Sequence, residues 1–251
     1  MTDSLHGLRI LNTRPQEQAQ QLSASIRAAQ GIAIELPTLE IQTVTNWLDH
    51  LPDLSSVQQA IFISANAVQH CFMQLKQAHI HWPSTIKVIA IGSGSAALLK
   101  QFAVEVHATP SIPDSEHLLA LPSLQQPDQQ RILLFKGEGG RPLIEERLLQ
   151  QGADLIALNV YRRALPKINV QFIKSIWRDD LVDIILLTSE QSMHHLFQLF
   201  PKDAHHWLRS KTCLVISERL AQSASSLGIK HIIRSHPEGI MNALFDSVIK
   251  D

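Results

Sequence analysis

Residues 131–159 read RILLFKGEGGRPLIEERLLQQGADLIALN, and this stretch decides the fold. Two short apolar segments, residues 131–135 and 155–158, flank an amphipathic segment at residues 142–151. Almost continuously apolar strands are typical of a parallel sheet that is buried on both faces, and parallel neighbours need a crossover such as a helix. The stretch therefore predicts a strand–helix–strand unit.

The same unit is written a second time near the N-terminus. Residues 8–15 read LRILNTRP and residues 26–37 read IRAAQGIAIELP, which match RILLFKGEGG and LLQQGADLIALN. Two further pairs follow in the same order, since residues 61–75 match residues 185–199 and residues 88–106 match residues 214–232. This repeat predicts one α/β unit that occurs twice in the chain.

Strand and helix patterns alternate through the chain, and they predict an α/β protein whose parallel sheets are covered by helices on both faces. The predicted strands lie at residues 9–12, 33–36, 60–63, 88–91, 131–135, 155–158, 183–187, 212–216 and 231–233. The predicted helices lie at residues 17–29, 67–77, 95–102, 142–151, 191–199 and 220–227.

Two extended segments indicate where the chain passes between domains. Pro37 and TLEIQT follow the second predicted strand, and LNVYRRALP occupies the equivalent place in the second half. We therefore expect a discontinuous domain of residues 1–38 and 165–251, a second domain of residues 43–159, and connector segments at residues 38–43 and 159–165. Because ligands of open parallel sheets bind beyond the carboxyl ends of the strands, the expected site is a cleft between the domains.

The composition is that of a globular protein without a strong charge field. The chain has 251 residues, 18% of them charged, a net charge of −1 and a mean hydropathy of +0.01. This balance gives no basic surface for nucleic acid or an anionic membrane. The opening MTDSLHGLRI lacks the features of a signal peptide, and Cys71 and Cys213 lie in apolar segments as expected for reduced core thiols. We expect a cytoplasmic protein.

Polar residues and glycines follow the predicted strands, where the helices begin. Helix N-termini present unpaired N–H groups and a partial positive charge, which bind carboxylates or phosphates. At any one position the alternative is that a hydroxyl only caps its own helix, or that Arg14 only braces its turn. The candidate binding residues are Thr13, Arg14, Ser64, Asn66, Gly92, Ser93, Ser95, Lys136, Gly137, Arg141, Thr188, Ser189, Ser217 and Arg219.

Other patterns indicate competing chemistries. Residues 92–97, GSGSAA, fit the G-x-G-x-x-A pattern of a dinucleotide site, so an NAD-dependent oxidoreductase is one alternative. The chain has 13 histidines, but neighbours on a helix such as His194 and His195 diverge by about 100°, and His79 and His81 have no carboxylate or thiol cluster nearby, which favours solvated side chains over metal ligands. Tyr161 is the only tyrosine, and it is either a half-buried ring at a domain junction or a proton donor in the cleft.

Over its whole length the chain resembles the uroporphyrinogen-III synthase family, and most of all its proteobacterial form. The matching segments, in family order, are LNTRP, FISANAV, IAIGSGSAALL, SEHLLALPSL, LLFKGEGGRPLIEERLLQQGADL running into VYRR, LLTSEQS and LVISERLAQSASSLG. The resemblance implies two flavodoxin-like domains that are joined by a two-stranded connector, with the active site in the interdomain cleft.

The resemblance also implies a reaction, the dehydrating cyclisation of linear hydroxymethylbilane with inversion of its last pyrrole ring. The product is uroporphyrinogen III, the precursor of haem and other tetrapyrroles. No cofactor and no metal are implied. We expect a monomer that binds this small substrate, receives it by transient hand-over from hydroxymethylbilane synthase, and binds neither nucleic acid nor membrane. The alternative function is that of a cytosolic two-domain protein that binds a small anion.

Family roles carry over to individual residues. The resemblance makes Tyr161 the catalytic residue, which helps the substrate hydroxyl to leave. Ser64 and Asn66 match one substrate-binding turn of the family, and Thr188 and Ser189 match a second turn.

The chain departs from the family pattern in its last third. Ser95 stands where the family often has threonine, so the hydroxyl is kept there. The repeat sets Leu220 opposite Ser95, which leaves the second half without this hydroxyl. Ser217 and Arg219 are therefore expected to take its place.

Overall fold

The computed structural model describes residues 4–248. Its contacts divide the chain into two units, one formed by Met1–Glu40 with Ala164–Asp251 and the other by Ile41–Arg163. The domain boundaries and the cleft that the sequence predicts stay predictions. None of the α-helices within the described residues is long and apolar enough to cross a membrane.

Strands and helices alternate along the chain. The strands are β1 (Arg9–Asn12), β2 (Ile32–Glu35), β3 (Glu40–Thr43), β4 (Gln59–Phe62), β5 (Lys87–Ala90), β6 (Arg131–Gly137), β7 (Asp154–Ala164), β8 (Ile184–Leu187), β9 (Thr212–Val215) and β10 (His231–Arg234). The α-helices are α1 (Gln16–Ala28), α2 (Ala65–Gln77), α3 (Ser93–Gln101), α4 (Ser115–Leu119), α5 (Leu143–Gln150), α6 (Val170–Arg178), α7 (Glu190–Leu199), α8 (His205–Ser210), α9 (Glu218–Ser226) and α10 (Ile240–Val248).

The strands form two five-stranded sheets. The first sheet has the order β10-β9-β8-β1-β2, and all of its neighbouring strands are parallel. The second sheet has the order β3-β7-β6-β4-β5, and the pairs among β7, β6, β4 and β5 are parallel. The predicted α/β fold with two parallel-sheet domains is confirmed.

The sequence repeat is also a repeat of topology. Its alignment makes β1, β2, β8 and β9 the counterparts of β6, β7, β4 and β5. The observed neighbour orders, β9-β8-β1-β2 and β5-β4-β6-β7, agree strand for strand with this alignment. The two units are therefore two copies of one fold.

Each sheet is buried on both faces because alternate residues of a strand point to opposite sides. In β4, Phe62 belongs to the core on one face of the second sheet and Ile61 to the core on the other. In β8, Ile185 and Ile184 divide in the same way between the two cores of the first sheet. The continuous apolar runs in the sequence follow from this arrangement.

Parallel pairing places the carboxyl ends of β6, β4 and β5 at one edge of the second sheet, and those of β9, β8 and β1 at one edge of the first. The helices α2, α3, α7 and α9 begin within a few residues of these ends. The fold thus gathers on each sheet edge a set of helix N-termini with their unpaired N–H groups.

An ion pair at the opposite edge ties β1 to β8 in the first sheet. Arg9 donates to the Asp183 carboxylate from Nε at 3.0 Å and from Nη2 at 2.5 Å, and its backbone N–H donates to the same carboxylate at 2.8 Å. These hydrogen bonds lower the pKa of Asp183 below its usual range. A bidentate, charge-assisted ion pair of this kind is stronger than an ion pair on the surface with a single hydrogen bond.

We expect Asp183→Asn to lower the free energy of unfolding by about 1–2 kcal/mol at pH 7, because a hydrogen-bonded carboxylate loses its charge. The lowered pKa means that this stabilisation is present above the unfolded-state value of about 4 and is lost as the pH falls through the folded-state value. The difference from wild type should therefore shrink below about pH 4.

Urea unfolding at a series of pH values measures this difference, and hydrogen exchange in β1 and β8 assigns it to the first sheet. Asp154→Asn is the matched control, since Asp154 accepts from Arg131 at the start of the second sheet and both side chains are more exposed. Its loss should be smaller. A difference for Asp183→Asn that grows toward pH 3 would contradict the assignment.

Candidate functional site

Ser64 lies at the carboxyl edge of the second sheet, between β4 and α2. It follows β4 in an extended conformation, with φ −167° and ψ 159°, and its Oγ accepts a hydrogen bond from the Ala67 N–H at 3.0 Å. Ser64 is therefore the N-cap of α2, a role that serine fills well because its short hydroxyl reaches the orphan N–H of the first turn. Asn66, also expected to bind substrate, lies in that first turn and is half-buried.

Tyr161 reaches Ser64 from the other side of β6. The strand β7 continues to Ala164, so Tyr161 lies inside a strand and pairs with Gly137 of β6, where the register shifts. The side chain is only 3% exposed, and its hydroxyl oxygen lies 3.1 Å from Ser64 Oγ. The structure thus joins two predicted site residues that are 97 positions apart in the sequence.

Gly137 makes room for the phenol. A Cβ atom at this position would lie 2.6 Å from Tyr161 Cζ and 3.0 Å from its hydroxyl oxygen, closer than real Cβ contacts come. The neighbouring backbone holds the same pair together, since the Glu138 N–H donates to the Tyr161 carbonyl at 2.8 Å. Any side chain at position 137 would force the tyrosine ring to move.

His70 is a neighbour of Tyr161 that the sequence prediction did not include. Its ring stacks on the tyrosine ring with centroids 5.8 Å apart and planes at 27°, and its Nδ1 lies 2.9 Å from Thr43 Oγ1. The Arg163 guanidinium carbon lies 5.8 Å from the centroid of the tyrosine ring. This contact joins α2 to β7, so no local pattern in the sequence indicates it.

The predicted GSGSAA segment begins α3. Gly92 is the extended N-cap residue, and a Cβ there would lie 3.0 Å from Pro113 Cβ. Ser93 is exposed on the first turn, whereas Ser95 is 4% exposed. Of these two hydroxyls, only that of Ser93 faces solvent.

The basic residues expected to bind substrate in the second unit already have carboxylate partners. Lys136 is buried and pairs with Glu145 of α5. Arg141 pairs with Glu116 of α4 at 2.6 Å, and both of these side chains are more than half exposed. An exposed pair contributes little to stability, so Arg141 can exchange Glu116 for a substrate carboxylate at small cost.

At the edge of the first sheet, Thr13 is buried and donates to the Leu186 carbonyl at 2.6 Å, which makes it a structural residue. Arg14 lines a pocket of about 390 Å³ together with Glu238 and residues of α1 and α10. Its Nη2 lies 3.4 Å from Gln18 Oε1. Its Nε is buried and has no hydrogen-bond partner among the described residues.

The remaining candidates lie where α7 and α9 begin. Ser189 Oγ accepts from the Ser192 N–H at 3.0 Å at the start of α7, directly after the half-buried Thr188. Ser217 Oγ accepts from the Leu220 N–H at 3.3 Å at the start of α9. Arg219 lies exposed in the first turn of that helix. The structure therefore places these residues at one sheet edge but gives Ser189 and Ser217 a capping role.

The chemistry available at these edges is that of hydroxyls, backbone N–H groups and a phenol. The two thiols are unreactive, since burial raises the pKa of Cys71 well above its usual range and that of Cys213 to about 12. Within residues 4–248, no group of three or more His, Cys, Asp or Glu side chains could hold a metal ion. The donors suit a ligand rich in carboxylates, with the phenol as proton donor.

Comparison with known proteins identifies the family. The family model described as Uroporphyrinogen-III synthase HemD matches residues 20–244. A relative from Escherichia coli named Uroporphyrinogen-III synthase is 31% identical over 228 residues, which cover 89% of this chain and 93% of the relative. A relative of the same name from Salmonella typhimurium is 30% identical over the same shares of both chains.

Solved structures show a likeness of fold. A uroporphyrinogen III synthase from Thermus thermophilus matches with a TM-score of 0.62 at 19% identity, over 97% of this chain and 99% of the other. The uroporphyrinogen-III synthetase of Helicobacter pylori matches with a TM-score of 0.60 at 15% identity, over the same shares.

We expect Gly137→Ala to lower the free energy of unfolding by about 1–3 kcal/mol, because the added methyl group overlaps the Tyr161 ring. Thermal or urea unfolding measures the loss, and the fluorine NMR spectrum of protein labelled with 3-fluorotyrosine reports whether the ring of the only tyrosine has moved. Gly94→Ala is the control, since a Cβ at Gly94 meets nothing within 4 Å among the described residues. A Gly137→Ala variant as stable as wild type, with an unchanged tyrosine spectrum, would contradict the close approach.

Proposed function

The chain belongs to the uroporphyrinogen-III synthase family, and we propose that it converts hydroxymethylbilane into uroporphyrinogen III. The observation that carries the proposal is the hydrogen bond between Tyr161 and Ser64 at the carboxyl edge of the second sheet. This bond holds the only phenol of the chain, that of Tyr161, and Tyr161 is the residue for which the family resemblance implies a catalytic role. Family membership favours this reaction over the binding of a small anion and over an NAD-dependent oxidation.

Tyr161 would act as the general acid that removes the substrate hydroxyl. Ser64 Oγ accepts the Ala67 N–H with one lone pair, which leaves its own proton free for the Tyr161 oxygen. The phenol proton is then available to the leaving hydroxyl, and water departs as the C–O bond breaks. The tyrosinate that remains keeps the hydrogen bond from Ser64, so its charge is stabilised as it forms.

The remaining steps need positioning rather than further protein chemistry. Loss of water leaves a cationic, N-protonated azafulvene at the end of the linear tetrapyrrole, whose positive charge balances the tyrosinate. The substituted α-carbon of the last pyrrole ring attacks this cation to form a spiro intermediate, and the bond from that carbon to the methylene of the neighbouring ring then breaks. The last ring inverts, its other α-carbon bonds to the released methylene, and the proton lost from that carbon returns to the tyrosinate. No electrons enter or leave the substrate, so the reaction as proposed uses no redox cofactor. Most of the rate acceleration then comes from holding the linear tetrapyrrole in the conformation that closes the ring.

The substrate carries many carboxylates, and we propose that the strand ends of both sheets bind them. In the second unit these are Gly92, Ser93 and Ser95 at α3, Asn66 at α2, and the group Lys136, Gly137 and Arg141. In the first unit they are Arg14, Thr188, Ser189, Ser217 and Arg219. Because Tyr161 is 3% exposed, substrate must also uncover the phenol before it can react.

We further propose that the enzyme acts in the cytoplasm as a monomer and takes its substrate from hydroxymethylbilane synthase by transient hand-over. Both cysteines are free and buried, which suits a reducing compartment. Free hydroxymethylbilane closes without an enzyme to the wrong isomer, so direct hand-over would protect it.

Incubation with hydroxymethylbilane, followed by oxidation and separation of the porphyrin isomers, tests the reaction. The proposal predicts isomer III. Isomer I alone is the product of uncatalysed closure and would refute it.

We expect Tyr161→Phe to lower kcat at least about tenfold, because general acid catalysis contributes about 10²–10⁴-fold. Ser64→Ala should lower kcat less, since the phenol remains, and Ser64→Thr should restore it because the hydroxyl is kept. The rate of isomer III formation measures all three variants. A near-normal kcat for Tyr161→Phe would show that another group protonates the leaving hydroxyl.

We expect Arg141→Ala to raise KM and Glu116→Gln to lower it, because Glu116 competes with substrate carboxylates for the Arg141 guanidinium. Each change should be about twofold to fivefold, the range of an exposed ion pair, with little effect on kcat. Glu146→Gln, on the exposed side of α5, is the control. Identical KM values for all these variants would remove Arg141 from the substrate site.

A further inference from the structure

His70 lies on the face of α2 that is attached to the chain around the end of β3. Thr43, the last residue of β3, lies with its Oγ1 2.9 Å from His70 Nδ1. One helical turn further along α2, Gln74 Nε2 donates to the Val44 carbonyl at 2.7 Å. Side chains four positions apart project from one face of a helix, so two successive turns hold this face of α2 to the same segment.

This attachment fixes the plane of the imidazole. The hydrogen bond between Nδ1 and Thr43 Oγ1 restricts rotation of the ring about its last torsion, and in this orientation the ring stacks on the Tyr161 ring at 5.8 Å and 27°. Offset stacking of this kind is favourable because it avoids the repulsion of two fully eclipsed faces. His70 therefore presents a fixed aromatic surface to the tyrosine.

Besides His70, the Arg163 guanidinium lies against the ring, with its carbon 5.8 Å from the ring centroid, and the ring is 3% exposed within the core of the second unit. Gly137 approaches the hydroxyl end of the ring without a side chain of its own, and Ser64 binds only the hydroxyl. A hydrogen bond to the oxygen sets where the oxygen lies, but a tyrosine ring can still rotate about the axis that passes through that oxygen. The stacked imidazole restricts this rotation.

We propose that His70, oriented by Thr43, is a positioning residue that sets the plane of the Tyr161 ring and hence the direction in which its O–H points. This inference rests on the proposed function, since it assigns a task within the proton transfer from Tyr161. It gives the Thr43–His70 pair a role that neither the capping of α2 nor the packing of the core requires. His70 itself transfers no proton in this scheme.

The test uses the fact that Tyr161 is the only tyrosine. Protein labelled with 3-fluorotyrosine gives a fluorine NMR signal from this residue alone, in the full chain and without substrate. His70→Ala should shift and broaden that signal, lower kcat about tenfold, and leave KM within about twofold, because orientation is lost while substrate contacts remain. His70→Phe keeps a flat ring and should recover much of both the signal and kcat.

Thr43→Val and His81→Ala complete the design. Thr43→Val keeps the shape of the side chain but removes the hydroxyl, so it should give a smaller change in the same direction as His70→Ala. His81 is an exposed histidine outside the α2–β7 contact, and His81→Ala should match wild type in both measurements. Circular dichroism confirms that each variant is folded.

The outcomes separate this inference from the proposed function. Wild-type protein that forms no isomer III refutes the proposed function, whereas the fluorine signal still reports whether His70 orders the ring. An active wild type with an unchanged signal in His70→Ala overturns the positioning role, even if kcat falls. A His70→Phe variant as impaired as His70→Ala in both signal and kcat overturns it as well.

Discussion

The absence of a side chain at Gly137 is the constraint on which the site in the second unit depends. The end of β6 and the middle of β7 approach so closely there that the Tyr161 ring occupies the space of a Cβ atom. This approach brings the phenol across β6 to the hydroxyl of Ser64, which β4 places at the same sheet edge. Stacking by His70 and the proposed proton transfer both require the ring in that position.

The two units show how one fold can serve two purposes. The repeat sets Thr13 and Arg14 opposite the residues that end β6. In the first unit Thr13 is buried and donates its hydroxyl hydrogen bond to the Leu186 carbonyl, so its hydroxyl is not available to a ligand. The second unit has Gly137 at this edge, and with it the space for a phenol. The first unit is left with capped helices and two arginines, Arg14 and Arg219, which suit the binding of carboxylates more than bond breaking.

The fold could be predicted from the sequence because parallel strands buried on both faces leave an unmistakable apolar pattern, and because the repeat supplied that pattern twice. The strand β3 was read only as an extended segment, since an edge strand with exposed residues lacks the pattern. The predicted helices do not include α6, although its apolar residues recur with a clear helical period and Ile173 and Ile176 are buried. The end of β7 was placed too early, since Asn159 and Arg162 interrupt the apolar run although the strand continues.

The site was harder to predict than the fold. Serines at helix starts identified Ser64, Ser189 and Ser217, because capping depends on residues close in sequence. Lys136 pairs with a carboxylate of α5 and Arg141 with one of α4, and the contact of His70 with Tyr161 joins α2 to β7. No local sequence pattern reveals these contacts. Long-range contacts of this kind decide which predicted residues are available to a ligand and which are already occupied.

A crystal structure with a bound, unreactive analogue of hydroxymethylbilane tests the central claim most directly. We expect the Tyr161 oxygen to lie within hydrogen-bond distance, about 2.6–3.2 Å, of the atom that stands for the leaving oxygen, with Ser64 still bonded to the phenol. An analogue that binds with its reacting end away from Tyr161, or a phenol that stays buried beside Ser64 without touching the ligand, would contradict it.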